Sequence, residues 1–238
     1  MGKRIWLLLP GFLVLLVLVA VTLPAALLAP RLDLPPGLTQ IRGTVWSGTA
    51  QWRQTGRQPL ALKWRWRGGR HWHWQASGGQ TALEGRWQPG SKARLPEIHG
   101  RLDLDRLDLI HWLQIARPVG WLDLALTDAV LAAGRAPQAA GKVVWRQAGL
   151  AGSIQEPLGE IEILAENVDE ALRLEIRSLQ PASVQVRGSI SFQASRYDAD
   201  LWLRAAAGRP ELTAALADIG ELQPDGQVRL RIGGRTGL

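Results

Sequence analysis

The sequence predicts a mainly β protein, in which one N-terminal transmembrane helix precedes an antiparallel β-sheet domain with one or two short helices. Two observations predict this class: one long uncharged stretch at the N-terminus, and alternating apolar and polar residues through much of the rest. The 238 residues, 46% of them apolar, suffice for one large domain or two small ones. Cysteine is absent, which excludes disulfides, thiolate metal sites and a cysteine nucleophile.

The uncharged stretch from Ile5 to Leu28 holds 24 residues. As a helix it would span about 36 Å, enough to cross a hydrocarbon core of about 30 Å. Lys3 and Arg4 flank it, so the positive-inside rule places residues 1–4 in the cytoplasm. A cleaved signal peptide is the alternative, but the stretch is long for one and no A-x-A pattern follows. We expect an uncleaved anchor in residues 5–28 and a single crossing.

The charge of the chain bears on its partners. The formal net charge is +7, of which Lys3 and Arg4 supply two. A basic domain is compatible with nucleic acid, but an exported domain rarely meets any. The expected partners are therefore the membrane lipid bilayer, through anionic headgroups, or an acidic protein, and not nucleic acid.

Beyond the anchor, residues 29–39 contain three prolines and predict an extended linker to a β-rich domain over residues 40–238. Strict alternation within this domain gives each sheet one apolar and one charged face, which is antiparallel behaviour. The alternating segments are 63–67, 101–105, 159–163, 172–177, 184–187 and 228–232.

Two short helices are expected within the domain. Residues 105–116 have a helical stripe stopped by Pro118, and residues 211–219 are opened by Pro210 and ended by Gly220.

An internal boundary is expected at residues 134–141, which would separate lobes at 40–135 and 140–238. A shift of 98 residues aligns five identities in 18 positions, which supports a duplication weakly.

Candidate chemical sites are weak. No motif for hydrolysis, zinc proteases, nucleotides or phosphate loops is present. His71 and His73 would share a strand face and could chelate a metal, but two solvated strand positions explain them as well. Asp103, Asp105 and Asp108 lack the glycine-turned loop of a calcium site, so a wet strand face and a helix start are expected. We expect no catalytic residue, metal or other cofactor, and no enzyme.

Four tryptophans, Trp64, Trp66, Trp72 and Trp74, flank a probable hairpin turn. A two-residue turn at residues 68–69 would put the first two on the face opposite to the last two. A three-residue loop, residues 68–70, would pair Trp66 with Trp72 and Trp64 with Trp74. The second register is favoured because it separates indoles from basic residues completely and allows cross-strand pairs worth up to about 1 kcal/mol each.

The resulting indole face has two interpretations. It is either a bulky core or a surface groove for an apolar ligand, such as an acyl chain, or for a partner strand. The opposite face carries Arg65, Arg67, His71 and His73; it is solvated, or it meets anionic headgroups if it faces the membrane.

The segment GTVWSGTA, residues 43–50, lies some 15 residues beyond the predicted anchor. It resembles the opening signature of the type II secretion system protein N (GspN) family. Further similar segments follow in the family's order at residues 60–64, 141–145, 158–159, 216–220 and 225–228. The fold-signature residues are Gly43, Thr44, Trp46, Gly48, Ala50, Gly141, Trp145, Asp225 and Gly226. Gly43 and Gly48 are expected to bracket a strand where the sheet bends.

The resemblance implies a non-catalytic accessory or scaffold component of type II protein secretion. Such a component would lie in the cell inner membrane as a single-pass protein, with its C-terminal domain in the periplasm. Its implied partners are other secretion proteins: the secretin, the inner-membrane platform or the pseudopilus. The family loosely resembles AsmA-like envelope proteins, which implies a curved, twisted sheet with an apolar concave side.

Two functional hypotheses follow. The first is a scaffold that docks partners at an exposed sheet edge, for which residues 225–233 are the candidate. The alternative is an AsmA-like lipid-binding or lipid-transfer module that uses the tryptophan-lined face as its groove.

Overall fold

The computed structural model describes residues 22–28, 37–53, 58–90, 93–104, 116–131, 135–152, 156–194 and 196–235. The predicted cytoplasmic tip with Lys3 and Arg4, the predicted anchor up to residue 21 and most of the predicted linker lie outside these residues. No described helix is long and apolar enough to cross a membrane.

The described chain is mainly β, with two short helices, and divides into two compact units, residues 1–79 and 80–238. The first unit contains helix α1 (Ala25–Leu28) and strands β1 (Leu38–Gly43), β2 (Ser47–Trp52), β3 (Leu60–Trp66) and β4 (Trp72–Gly78). The second contains β5 (Thr81–Gln88), β6 (Ala93–Asp103), β7 (Ala116–Leu131), β8 (Gln138–Gly152), β9 (Glu156–Val168), β10 (Ala171–Pro181), β11 (Val184–Gln193), β12 (Arg196–Ala205), helix α2 (Pro210–Ala217), β13 (Glu221–Leu222) and β14 (Val228–Arg235).

All strand pairings within each unit are antiparallel. In the first unit the hydrogen-bonded order follows the chain from β1 to β4, and in the second it follows the chain from β5 to β12 and ends β12-β14-β13. The six alternating segments of the sequence lie in β3, β6, β9, β10, β11 and β14, apart from a few terminal residues. The prediction of antiparallel strands from period-two alternation is therefore confirmed.

The register of the second unit gathers its apolar side chains on one face. One row crosses eight strands and holds only apolar residues: Ile98, Leu126, Gly141, Ala165, Leu174, Ile190, Ala199 and Ile232. Most of these side chains are only half-buried, since a single sheet buries a face only where something covers it.

Helix α2 covers one end of this apolar face. Pro210 stands at its first turn, where a missing N–H costs nothing, as the sequence predicted. Leu212 is the helix residue that is buried, in a cluster with Leu203 and Val228 of the sheet, and Val228 is fully enclosed. The helix ends at Ala217, two residues earlier than predicted.

The opposite face of the second unit carries a ladder of ion pairs. Arg146 donates to Asp123 at 2.9 Å and to Glu160 at 2.7 Å, and Arg101 donates to the same Asp123 at 3.2 Å. These groups are all partly exposed, so each pair contributes little alone, and their arrangement as a network across four strands holds the register.

Glu162 on β9 is the buried member of this charged face, with 2% of its surface exposed. It lies between Lys142 and Arg177, and the Arg177 Nε donates to its carboxylate at 2.6 Å. The hydrogen bonds from Lys142 and then Arg177 outweigh burial and lower the pKa of Glu162 below its usual value.

A predicted helix, a predicted lobe boundary and two glycines have to be placed on the observed strands. Of the predicted helix 105–116, residues 105–115 lie outside the described residues and Ala116 begins β7. The lobe boundary expected at 134–141 stays a prediction; the compact units divide at Gly79, and Gly141 lies inside β8, where it pairs with Leu126 of β7. Gly43 and Gly48 bracket the connection between β1 and β2 rather than a strand, because Thr44 N–H donates to Ser47 O and closes a turn.

The weak 98-residue repeat relates positions of similar structure. Ala50 and Ala148 are both buried strand residues, as are Leu60 and Leu158 at the shifted positions. The duplication itself stays a prediction.

Glu162→Gln should lower the free energy of unfolding by about 1.5–3 kcal/mol, because Lys142 and Arg177 lose a charged acceptor. The lowered pKa of Glu162 adds stability at neutral pH that declines once the pH falls below 4.5 and is gone below the folded-state pKa. The variant should therefore show a shallower loss of stability on acidification, measured by urea unfolding at several pH values. Glu166→Gln, an exposed change in the same strand, is the control and should leave both quantities nearly unchanged. A pH profile of Glu162→Gln identical to that of the wild type would contradict this assignment.

Candidate functional site

The β3–β4 hairpin has the register with a three-residue loop. Trp64 lies opposite Trp74, Trp66 opposite Trp72, and Arg65 opposite His73. Arg67 N–H donates to His71 O at 2.9 Å and closes the loop. The favoured pairing is thus confirmed: the four indoles share one face, and Lys63, Arg65 and His73 share the other.

The indoles fasten the hairpin to the connection between β1 and β2. Trp64 Nε1 donates to Thr44 O at 3.1 Å and Trp72 Nε1 donates to Val45 O at 3.3 Å. Trp46, within that connection, stacks on Trp72 with ring centroids 6.3 Å apart and tilts against Trp66 at 5.1 Å. We name residues 44–46 with these indoles the tryptophan corner. Two of the four indoles, those of Trp64 and Trp72, therefore support the β1–β2 connection through hydrogen bonds.

The other two indoles differ. Trp66 Nε1 donates to Gly69 O within its own loop at 2.9 Å, and 41% of Trp66 remains exposed. Trp74 Nε1 is buried and meets no acceptor among the described residues. The choice between core and ligand groove for these four residues stays a prediction.

The signature residues of the first unit build this corner. Gly43 has φ +92°, a left-handed conformation that disfavours a side chain, and a Cβ there would lie 2.5 Å from Ser47 O. Gly48 lies opposite Trp64, and a Cβ on it would come within 2.3 Å of the indole ring. Ala50 is buried farther along β2. Small residues are therefore needed beneath and beside the indoles.

The remaining signature residues lie in the second unit. Gly141 has φ +130° where β8 meets β7, and Trp145 Nε1 donates to Val119 O at 2.9 Å. Asp225 accepts the Gln227 N–H at 3.1 Å in the turn that contains Gly226. This bond is the main cause that lowers the pKa of Asp225. All four residues shape turns and close strand contacts.

The end of the predicted anchor also reaches the tryptophan corner. Val45 N–H donates to Leu23 O at 3.1 Å, and Pro24 forms an isolated antiparallel bridge with Thr44. Leu23 is not helical, and α1 starts only at Ala25. The apolar stretch therefore does not run as one helix to Leu28.

A shallow cavity of about 400 Å³ opens on the basic face of β2, β3 and β4. It is lined by Ser47, Gly48, Thr49, Lys63, Trp64, Arg65, Arg67, His73 and Gln75. Lys63, Arg65 and Arg67 are exposed. The arrangement offers several cations and hydroxyl donors to an anionic group.

The side chains of the described residues that could ligate a metal ion do not converge on one site. Among the described residues, no group of three or more His, Cys, Asp or Glu side chains is placed to hold a metal ion. Glu84 and His99, separated by 15 residues, pair at 2.8 Å across β5 and β6. Asp103 ends β6, where its N–H donates to Thr81 Oγ1, while residues 105 and 108 lie outside the described residues.

Sequence reasoning missed two features. The Thr44 and Val45 carbonyls accept the indole bonds, and backbone acceptors leave no trace in composition. Trp202 lies between Arg187 and Arg229, whose guanidinium carbons are 5.6 and 4.9 Å from its ring centroid. Alternation placed Arg187 and Arg229 on strands but did not include Trp202, and only the register joins the three in one row.

The β-strands, their antiparallel pairing and the tryptophan corner define an antiparallel β-sheet protein built around a glycine–indole support. Residues 36–231 match the family described as type II secretion system (T2SS), protein N, and the chain belongs to this family. Membership indicates a role in type II secretion, association with the cell envelope and interaction with other secretion components. No curated protein and no solved structure matches the chain.

Gly48→Ala should destabilise the first unit by about 1–3 kcal/mol, because the new methyl group overlaps the Trp64 ring and forces it away. Chemical unfolding followed by tryptophan fluorescence measures the loss. Thr49→Ala, at an exposed neighbouring position, is the matched control and should change stability by no more than about 0.5 kcal/mol. Equal stability of Gly48→Ala and the wild type would show that Trp64 does not depend on this glycine.

Proposed function

We propose that the chain is a non-catalytic scaffold component of the type II secretion machinery that links its inner-membrane and periplasmic parts. Residues from Ile5 onward would hold it in the inner membrane with the N-terminus in the cytoplasm, and the β units would lie in the periplasm. Family membership supports the secretion role, and the uncharged stretch supports the anchor.

The observation that carries the scaffold proposal is the sheet edge at β14. The two-residue strand β13 pairs only with Val228 and Arg229. Among the described residues, no strand pairs with the outer side of β14 from Leu230 to Arg235. Ile232 in this segment is 44% exposed. Unpaired strand edges accept an extended segment of another chain, with backbone hydrogen bonds for affinity and side chains for specificity.

The open edge at residues 230–235 overlaps the sequence-based candidate, residues 225–233, at residues 230–233, while Val228 and Arg229 pair with β13. Its far end is supported by Tyr197, whose ring lies over Gly234 so that a Cβ there would meet it at 2.8 Å. The edge segment is held in its extended conformation by its pairing with β12, so binding of a partner strand would not require this segment to become ordered.

A photo-crosslinking amino acid at Ile232 should cross-link to another secretion component in intact cells. The same amino acid at Leu179 is the control, because Leu179 is 42% exposed but lies in β10, which has β9 and β11 as neighbours and pairs with β9 at Ser178 and Gln180. Affinity purification and mass spectrometry identify the products. Normal amounts of protein with no secretion component cross-linked at Ile232 would refute docking at this edge.

A functional readout complements the cross-link. Ile232→Lys should reduce the amount of exported protein in the medium, since an edge lysine opposes strand addition. Leu179→Lys should not, and secretion equal in both variants would contradict the proposal.

A second candidate, a lipid-binding module, is favoured by the apolar row of the second unit. The indoles of the tryptophan corner largely support the β1–β2 connection, so the groove would lie on the second unit instead. Away from α2, the row leaves Leu126, Leu174 and Ile190 half-buried, and an acyl chain lying across these strands would cover them.

A photoactivatable phospholipid should then label the half-buried residues Leu126, Leu174 and Ile190 of that row in the full chain in cell membranes. Label confined to the N-terminal stretch would exclude this candidate and leave the scaffold proposal intact.

A further inference from the structure

The net charge of the chain comes from one segment. Of its 28 Lys and Arg residues, seven lie between residues 34 and 83, and none of its 21 Asp and Glu residues does. The formal charge of +7 therefore equals the charge of this stretch, and the rest of the chain is balanced. All seven of these cations lie in the first unit, residues 1–79, and the described part of the stretch up to Gly78 forms its sheet with the tryptophan corner.

The cations of this unit gather on one face. Lys63 and Arg65 alternate with the indoles of β3 and point to the side where the cavity of about 400 Å³ opens, with Arg67 and His73 at its wall. Because no carboxylate lies in the stretch, none of its own residues can neutralise these cations. A surface of this kind is complementary to an extended anionic partner.

The tryptophan corner places this face near the end of the apolar stretch. Val45 holds Leu23 through a backbone hydrogen bond, and the cavity wall begins two residues later at Ser47. At about 3.5 Å per residue, Thr49 lies within about 14 Å of Val45. The headgroup layer is about 5–8 Å deep and the Debye length is about 8 Å, so this distance stays within reach of surface charge.

We propose that the basic face of the first unit, with Lys63, Arg65 and Arg67, rests on the acidic phospholipid headgroups of the membrane that holds the N-terminal stretch. This inference rests on the proposed anchor: residues 5–23 would span about 28 Å as a helix, close to the hydrocarbon thickness. The bilayer surface is the proposed occupant of this face, because the tryptophan corner holds the basic face close to the end of the N-terminal stretch.

The test uses the full chain in nanodiscs of phosphatidylcholine alone or with about 30% phosphatidylglycerol. Hydrogen exchange at residues 63–73 should be about tenfold slower in the acidic discs, and about 1 M salt should abolish the difference. The triple variant Arg65→Gln, Arg67→Gln and Arg70→Gln should lose the protection. The matched triple variant Arg94→Gln, Arg135→Gln and Arg196→Gln removes the same charge from exposed positions of the second unit and should keep it.

Each other outcome overturns the inference in a distinct way. Equal exchange of the wild type in both discs, with the chain still resistant to alkaline extraction, refutes the headgroup contact and leaves the anchor standing. Extraction of the chain by alkali refutes the anchor, and the inference with it. Protection of residues 63–73 by added polyglutamate but not by acidic discs would assign this face to an acidic protein instead. The wild-type comparison decides the matter even if the triple variant fails to fold.

Discussion

Backbone hydrogen bonding between neighbouring antiparallel strands is the constraint on which the rest of the structure depends. Once two strands pair, every second side chain faces the same side, and a slip of one residue would reverse all of them. In the second unit this constraint collects apolar residues from eight strands in one row. It also brings Glu162 between two cations on the other face, which makes any slip costly.

The tryptophan corner applies the same constraint to a smaller sheet. Trp64 and Trp72 donate to the connection between β1 and β2, and that connection in turn holds Leu23. Gly43 and Gly48 allow the backbones and the Trp64 ring to approach. The segment GTVWSGTA is thus a structural junction, which explains in physical terms why glycine and tryptophan occur there in that order.

The surplus positive charge and the open sheet edge lie in different units. The first unit holds the surplus cations of the chain beside the end of the apolar stretch. The second unit, with 18 Lys and Arg residues against 20 Asp and Glu residues, has an ion-pair ladder and, among the described residues, a segment of β14 with no strand on its outer side. The surplus cations and the open segment of β14 therefore lie in different units of the chain.

Period-two alternation, the proline at the start of α2 and the Trp64 to Trp74 pattern by themselves determined the strand class, one helix and the hairpin register, because these are local properties of consecutive residues. The resemblance carried by residues 43–50 likewise determined the family. The connection at residues 44–46, the burial of Glu162 and the stacking of Arg187 and Arg229 on Trp202 were decided by tertiary structure. Each of these joins residues that are far apart in the chain, and their contact depends on the cumulative register of several strands, which no local pattern encodes.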